Sequence, residues 1–114
     1  MDATRVLDLL VLARAFVEAG WSKNRAAKSK GGRRALAPTD PRAVRFCILG
    51  ATERAWFELL PPERECLNVS IKVLDEAVHA EVGRPLTSFN DDWKTSKKQV
   101  LALFDAACER VGKS

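Results

Sequence analysis

Residues 3–20 read ATRVLDLLVLARAFVEAG, and this stretch decides the fold. Val6, Leu9, Leu10, Ala13, Phe16 and Val17 recur at the three- and four-residue spacing that lines up side chains on one face of a helix. Asp2 is placed to cap its start and Gly20 to end it, which predicts a helix over 3–19. Leu7, Val11 and Leu12 widen the apolar stripe beyond one contact face, as expected of a helix that is central to a core or shared with a partner. The apolar run 6–12 is interrupted by Asp8, and a bilayer span needs roughly 20 apolar residues. No membrane segment is predicted. Ala13-Arg14-Ala15 has the look of a leader cleavage site, but Asp8 and the single preceding Arg5 speak against a leader.

Working outward, Asp40-Pro41 supplies a cap side chain and a proline suited to a first helical position, so a second helix is expected to begin there. Val44, Cys47, Ile48, Ala51 and Ala55 form one stripe, and Phe46, Leu49, Gly50, Phe57 and Leu60 a second, so burial on more than one side is expected. Gly50 inside a helix costs roughly 1 kcal/mol relative to alanine, which points to a close backbone approach. Pro61-Pro62 ends the segment. Leu67, Ile71, Leu74, Val78 and Val82 then make the face of a third helix over about 62–82, stopped by Gly83 and Pro85. Residues 87–92 are a turn by composition. A fourth helix starts near Thr95 or Ser96, where Ser96 and Gln99 have capping-box spacing, and it buries Val100, Leu101, Phe104, Ala107, Cys108 and Val111. The expected fold is mainly α: one domain over 1–114, a small bundle of about four helices, and one long loop at 21–40 with room for a short β-hairpin.

The chain has 114 residues, 46% hydrophobic and 30% charged, a balance typical of globular domains and not of disordered ones. Cys47, Cys66 and Cys108 are odd in number, lack C-x-x-C spacing and have one histidine for company. Neither a disulfide framework nor a metal site is expected, and no cofactor is implied. Reduced thiols fit a cytoplasmic location, in which the Asn68-Val69-Ser70 sequon is a chance match.

The net charge is +4, but it is unevenly spread. Lys23, Arg25, Lys28, Lys30, Arg33 and Arg34 lie within 22–34 with no acid among them, so this segment carries +6 and the remainder −2. Flexible glycines at 31 and 32 and Trp21 beside the run make it a candidate for following a phosphate backbone, with Trp21 as a stacking platform. A solvated loop that only maintains solubility accounts for the same charges.

Several short motifs recur together in one known family. Gly20-Trp21 follows the first helix; Asp40-Pro41, Ala43-Val44, Phe46-Cys47 and Gly50-Ala51 fit D-P-x-A-V-x-W-C-x-x-G-A; Phe89-Asn90-Asp91 fits W-N-D; Val100-Leu101, Leu103, Asp105 and Ala107 fit V-L-x-L-x-D-x-A. On these residues the chain resembles an uncharacterised family of small bacterial and phage proteins. The resemblance implies no established activity. Phe46 and Phe89 stand where tryptophan is usual, and the segment after Trp21 is more basic than the family's polar hairpin.

Two further features bear weighing. Cys47 with His79 as base and Asn90 or Asp91 as orienting group would make a cysteine hydrolase or transferase; a buried inert thiol on the apolar stripe of its helix, and a surface Asp75–His79 pair, explain the same residues. Asn90-Asp91-Asp92 offers carboxylates for a divalent ion; closing a turn, with bonds from Asn90 or Asp91 to the second helix, is the structural alternative. The leading expectation is a non-enzymatic accessory protein that binds nucleic acid or a nucleoprotein complex through the basic loop. The alternatives are a protein-binding inhibitor or anti-defence module, with a partner or second copy on the first helix, and a hydrolase centred on Cys47.

Overall fold

A computed structural model describes residues 3–23, 26–30, 35–59, 64–92 and 94–112. The molecule is mainly helical. The element order is α1 (Ala3–Ala19), β1 (Ala27–Lys28), β2 (Ala35–Leu36), β3 (Arg45–Phe46), α2 (Ile48–Glu58), α3 (Arg64–Val82), α4 (Leu86–Asp91) and α5 (Lys97–Gly112). Asp2, Leu60 and Pro61-Pro62, to which cap, packing and stop roles were assigned, lie outside the described residues.

The broad stripe of α1 is explained by its place at the centre. Helices α5, α2 and α3 and strand β3 all pack around it, burying Val6, Leu9, Leu10, Ala13 and Val17. Leu7, Leu12 and Phe16 pack against this core at its margin. Val11, 55% exposed, is what α1 leaves on the surface. The molecule measures 40 × 34 × 18 Å, the thinnest dimension being about two helix diameters.

The loop at 21–40 contains the anticipated hairpin and extends it to a small sheet of order β2-β1-β3, antiparallel throughout. Phe46 also bonds the chain leaving α1: its N–H donates to Gly20 O at 2.9 Å and its carbonyl accepts from Ser22 N at 3.0 Å.

The second helix begins later than the Asp40-Pro41 signal implies. Asp and Pro favour the first two positions of a β-turn as readily as a helix start, and here they make the turn. The Arg42 N–H donates to Asp40 Oδ1 at 2.9 Å, the Ala43 N–H to Asp40 O at 3.0 Å, and Arg54 Nη1 holds the Pro38 and Asp40 carbonyls at 3.0 and 2.9 Å. The next residues include Val44 and Phe46, types that favour extended backbone, and the chain pairs as β3 before Cys47 caps α2. Val44, assigned to a buried stripe of that helix, is therefore 45% exposed; Phe57, assigned to the second stripe, lies in α2 and is 48% exposed.

Where residues 87–92 were expected as a turn, the chain winds into the short helix α4 over Leu86–Asp91, because Leu86, Phe89 and Asn90 at three- and four-residue spacing bury one face. Gly83 ends α3 at φ 65°. Ser96 and Gln99 form the capping box at α5: the Ser96 N–H donates to Gln99 Oε1 at 2.7 Å and the Gln99 N–H to Ser96 Oγ at 3.3 Å.

Candidate functional site

The separate motifs meet at Asn90, which is 3% exposed. Its Oδ1 accepts from the Trp21 indole Nε1–H at 3.0 Å and from the Ile48 N–H at 3.1 Å. Its Nδ2 donates to Ser22 O at 3.2 Å and Asp91 Oδ1 at 2.9 Å. One amide thus joins the end of α1, the start of α2 and α4. The approach anticipated at Gly50 is also here, because a Cβ on it would sit 1.8 Å from Ala26 O. The same carbonyl accepts from the Cys47 N–H at 3.2 Å. Phe46 and Phe89 are core residues. The ring of Phe46 lies 5.4 Å from that of Phe16, and the Arg54 guanidinium stands over both.

Cys47 is the N-cap of α2 and not, as its place in the sequence suggested, a residue several positions into the helix. Its Sγ accepts from the Gly50 N–H at 3.2 Å. Burial pushes the thiol above its ordinary range, the Gly50 and Leu49 amides oppose this, and Asp91 and Glu53 add to it. This is the direction opposite to the lowered pKa that activates a cysteine as a nucleophile. Its cleft, about 250 Å³, is bordered by Glu53, Asn90 and Asp91. His79 lies instead on α3, 3.6 Å from Asp75.

The acidic turn is spoken for by protein donors. Asp91 accepts from Asn90. Asp92 pairs with Arg84 and takes the Lys94 N–H at 2.8 Å, and these donors hold its carboxyl below the usual range. No group of three or more metal-ligating side chains occurs among the described residues.

Of the basic residues, Arg25, Arg33 and Arg34, with the glycines at 31 and 32, lie outside the described residues. Lys23 is tied down: its Nζ donates to Asp92 O at 2.7 Å and stands 5.1 Å from the centre of the Trp21 ring. Trp21 is half-buried, with its N–H committed to Asn90 and part of its ring covered by that cation.

Lys28 and Lys30 are placed differently. In the β1–β3 register Ala27 faces Phe46, both buried, and Lys28 faces Arg45. Strand alternation therefore turns Lys28 and Arg45 to the same outer face. Like charges directly opposed on a sheet are unfavourable by several tenths of a kcal/mol. Lys28, Lys30 and Arg45 have no ion-pair partner among the described residues. A cleft of about 420 Å³ is lined by Lys30, Arg45 and Lys97 together with Trp21 and Val44. Lys97 is fixed there by a bond to Glu18 O, the penultimate carbonyl of α1.

Arg45 and Lys97 were not anticipated as site residues. Arg45 falls in the stretch read as helix, where its charge is one of many on a solvated face. The start of α5 did carry a signal: Lys97 and Lys98 occupy its first turn without an acid, against the preference of a helix N-terminus for negative charge.

No helix of the described residues is long and apolar enough to cross a membrane. No curated protein and no solved structure matches the chain. One family does match, over residues 1–110 and hence almost the whole length, and the chain belongs to that family of unknown function, DUF6197.

Proposed function

We propose that the protein binds nucleic acid without sequence-specific reading, as a non-enzymatic accessory protein, through the basic face of its small sheet. The observation that carries this reading is the convergence of Lys30, Arg45 and Lys97, from the segment after β1, β3 and α5, on one cleft with no carboxylate among the described residues of its lining, and of Lys28 beside Arg45 on the sheet. Phosphates placed there would turn like-charge opposition into attraction. The cations lie on the sheet and its margin and not along one helix suited to a groove, which favours contacts with backbone phosphates, and Trp21 adds a partly exposed ring beside them.

The test is binding to RNA, single-stranded DNA and duplex DNA over a salt series. About four phosphate contacts, from Lys28, Lys30, Arg45 and Lys97, should give a log-log slope near −3 to −4. Replacing these four together by glutamine should abolish most of the affinity. Absence of binding at low salt, or full affinity in that variant, would sink the proposal.

Docking of a protein partner is the second reading, favoured by an apolar groove of about 250 Å³ lined by Val78, Val82, Phe89 and Leu103. It predicts dimers or complexes in sizing measurements, and a strict monomer that captures no partner would count against it. The cysteine-hydrolase reading requires rapid native-state alkylation of Cys47. Its raised thiol favours slow labelling that accelerates only on unfolding.

A further inference from the structure

From the shape and lining of the Trp21 cleft, we infer that it is a subsite for a terminal phosphate monoester carried on a nucleoside, such as the 5′-phosphate end of a single strand. This rests on the nucleic-acid reading and narrows it to one chemical group.

Three cations reach a single concave space. Arg45 comes from β3, Lys30 from just beyond β1 and Lys97 from the first turn of α5. A phosphodiester within a strand carries one negative charge, whereas a monoester carries about −1.5 to −2 and presents three acceptor oxygens. Three cations with no acid among the described residues of the lining match the monoester better. Arg45 provides a planar donor fork suited to two oxygens at once, and the lysines supply point charges around it.

The lining also has apolar members, Ala19, Val44 and Trp21, which offer a surface to sugar and base. At about 420 Å³ the space falls within the range of small-ligand sites, roughly 300–1,000 Å³. Lys97 is already held by the α1 carbonyl, so little side-chain freedom is lost when a phosphate arrives.

The experiment compares a short single strand labelled at its 3′ end, with and without a 5′-phosphate, at low salt. The intact protein should bind the phosphorylated strand about fivefold tighter, the return expected of one added ion pair near the surface. The triple variant Lys30→Gln, Arg45→Gln, Lys97→Gln should lose this preference. Lys72→Ala, which removes one exposed charge on α3, should keep it. If the triple variant fails to fold by circular dichroism, Lys30→Gln with Arg45→Gln alone replaces it. Equal affinity for the two strands in the intact protein, or a preference that survives the substitutions, overturns the subsite. If neither strand binds, the nucleic-acid reading falls and the subsite is judged by titrating adenosine monophosphate. A saturable shift of the Trp21 indole N–H resonance, lost in the variant, then supports it; no shift, or the same shift in the variant, overturns it.

Discussion

Asn90 shows why a motif of small polar residues can be structural without being incidental. A buried amide must satisfy its donors and its acceptor, and Asn90 does so by bonding four partners from three parts of the chain. Asn90→Ala would leave the Ile48 N–H, at the first turn of α2, and the Trp21 indole N–H without their acceptor. An orphaned buried group costs about 1–3 kcal/mol, and the half-buried indole sits at the low end of that range, so the variant should be destabilised by roughly 2–4 kcal/mol in urea unfolding, with its m-value unchanged. Asn90→Asp tests the assignment further. It keeps an acceptor for both donors but sets a carboxylate against Ser22 O and beside Asp91, so it should rescue only part of the loss. A cost below about 0.5 kcal/mol for the alanine variant, the usual range of an uninvolved surface position, would show that the hub is not holding the motifs together. At this scale the sequence was partly legible. The W-N-D pattern marked Asn90 and pointed to the second helix, but the bond to Trp21 spans 69 positions, and no local pattern reports a contact of that separation.

The elements were legible where local chemistry has one outcome and obscure where it has two. The spacing of α1 and the signals at Gly83 and Ser96 each admit a single reading. Capping at Ser96 yields a direct prediction: Ser96→Ala should cost about 1 kcal/mol, read as a fall in thermal midpoint, and Gln99→Ala should cost less because it leaves the serine hydroxyl in place. No change in either would mean that the box does not form in solution. Asp40-Pro41, by contrast, opens a turn or a helix with equal local ease. The deciding contacts, β1 against β3 and Arg54 on the turn carbonyls, are tertiary. The boundary also decides where charge collects. Reading Arg45 as helical separates it from Lys28, whereas in the strand the two are direct neighbours, and the cationic face exists only because β3 exists. The cysteine moved for the same reason, from mid-helix to the cap of α2, where burial and two carboxylates outweigh the amides that would lower its pKa.

Across the whole molecule, charge is segregated: a +6 segment joins a body of −2, and the structure divides the basic residues further by what they already touch. Lys23 is engaged with Asp92 O and Trp21, so its charge serves the fold first. Lys28, Lys30 and Arg45 have no such engagement among the described residues, so their charges are available to a ligand. Counterion release turns this division into a measurable difference, because each phosphate neutralised contributes roughly 0.7 to the salt slope on single strands and 0.9 on duplex DNA. Replacing Lys28, Lys30 and Arg45 together by glutamine should flatten the slope by about 2 to 3 on that basis, with the thermal midpoint held or slightly raised by relief of the Lys28–Arg45 opposition. Lys23→Gln should behave in the reverse manner, leaving the slope nearly unchanged and lowering the midpoint. Dissociation constants measured by fluorescence anisotropy between low and moderate salt, paired with melting curves, check both halves. If Lys23→Gln flattens the slope as much as any one of the other three does, exposure and not placement on the sheet decides which cations meet phosphate. The basic segment would then act as a charged tether, and the cleft beside Trp21 would have no special part in binding.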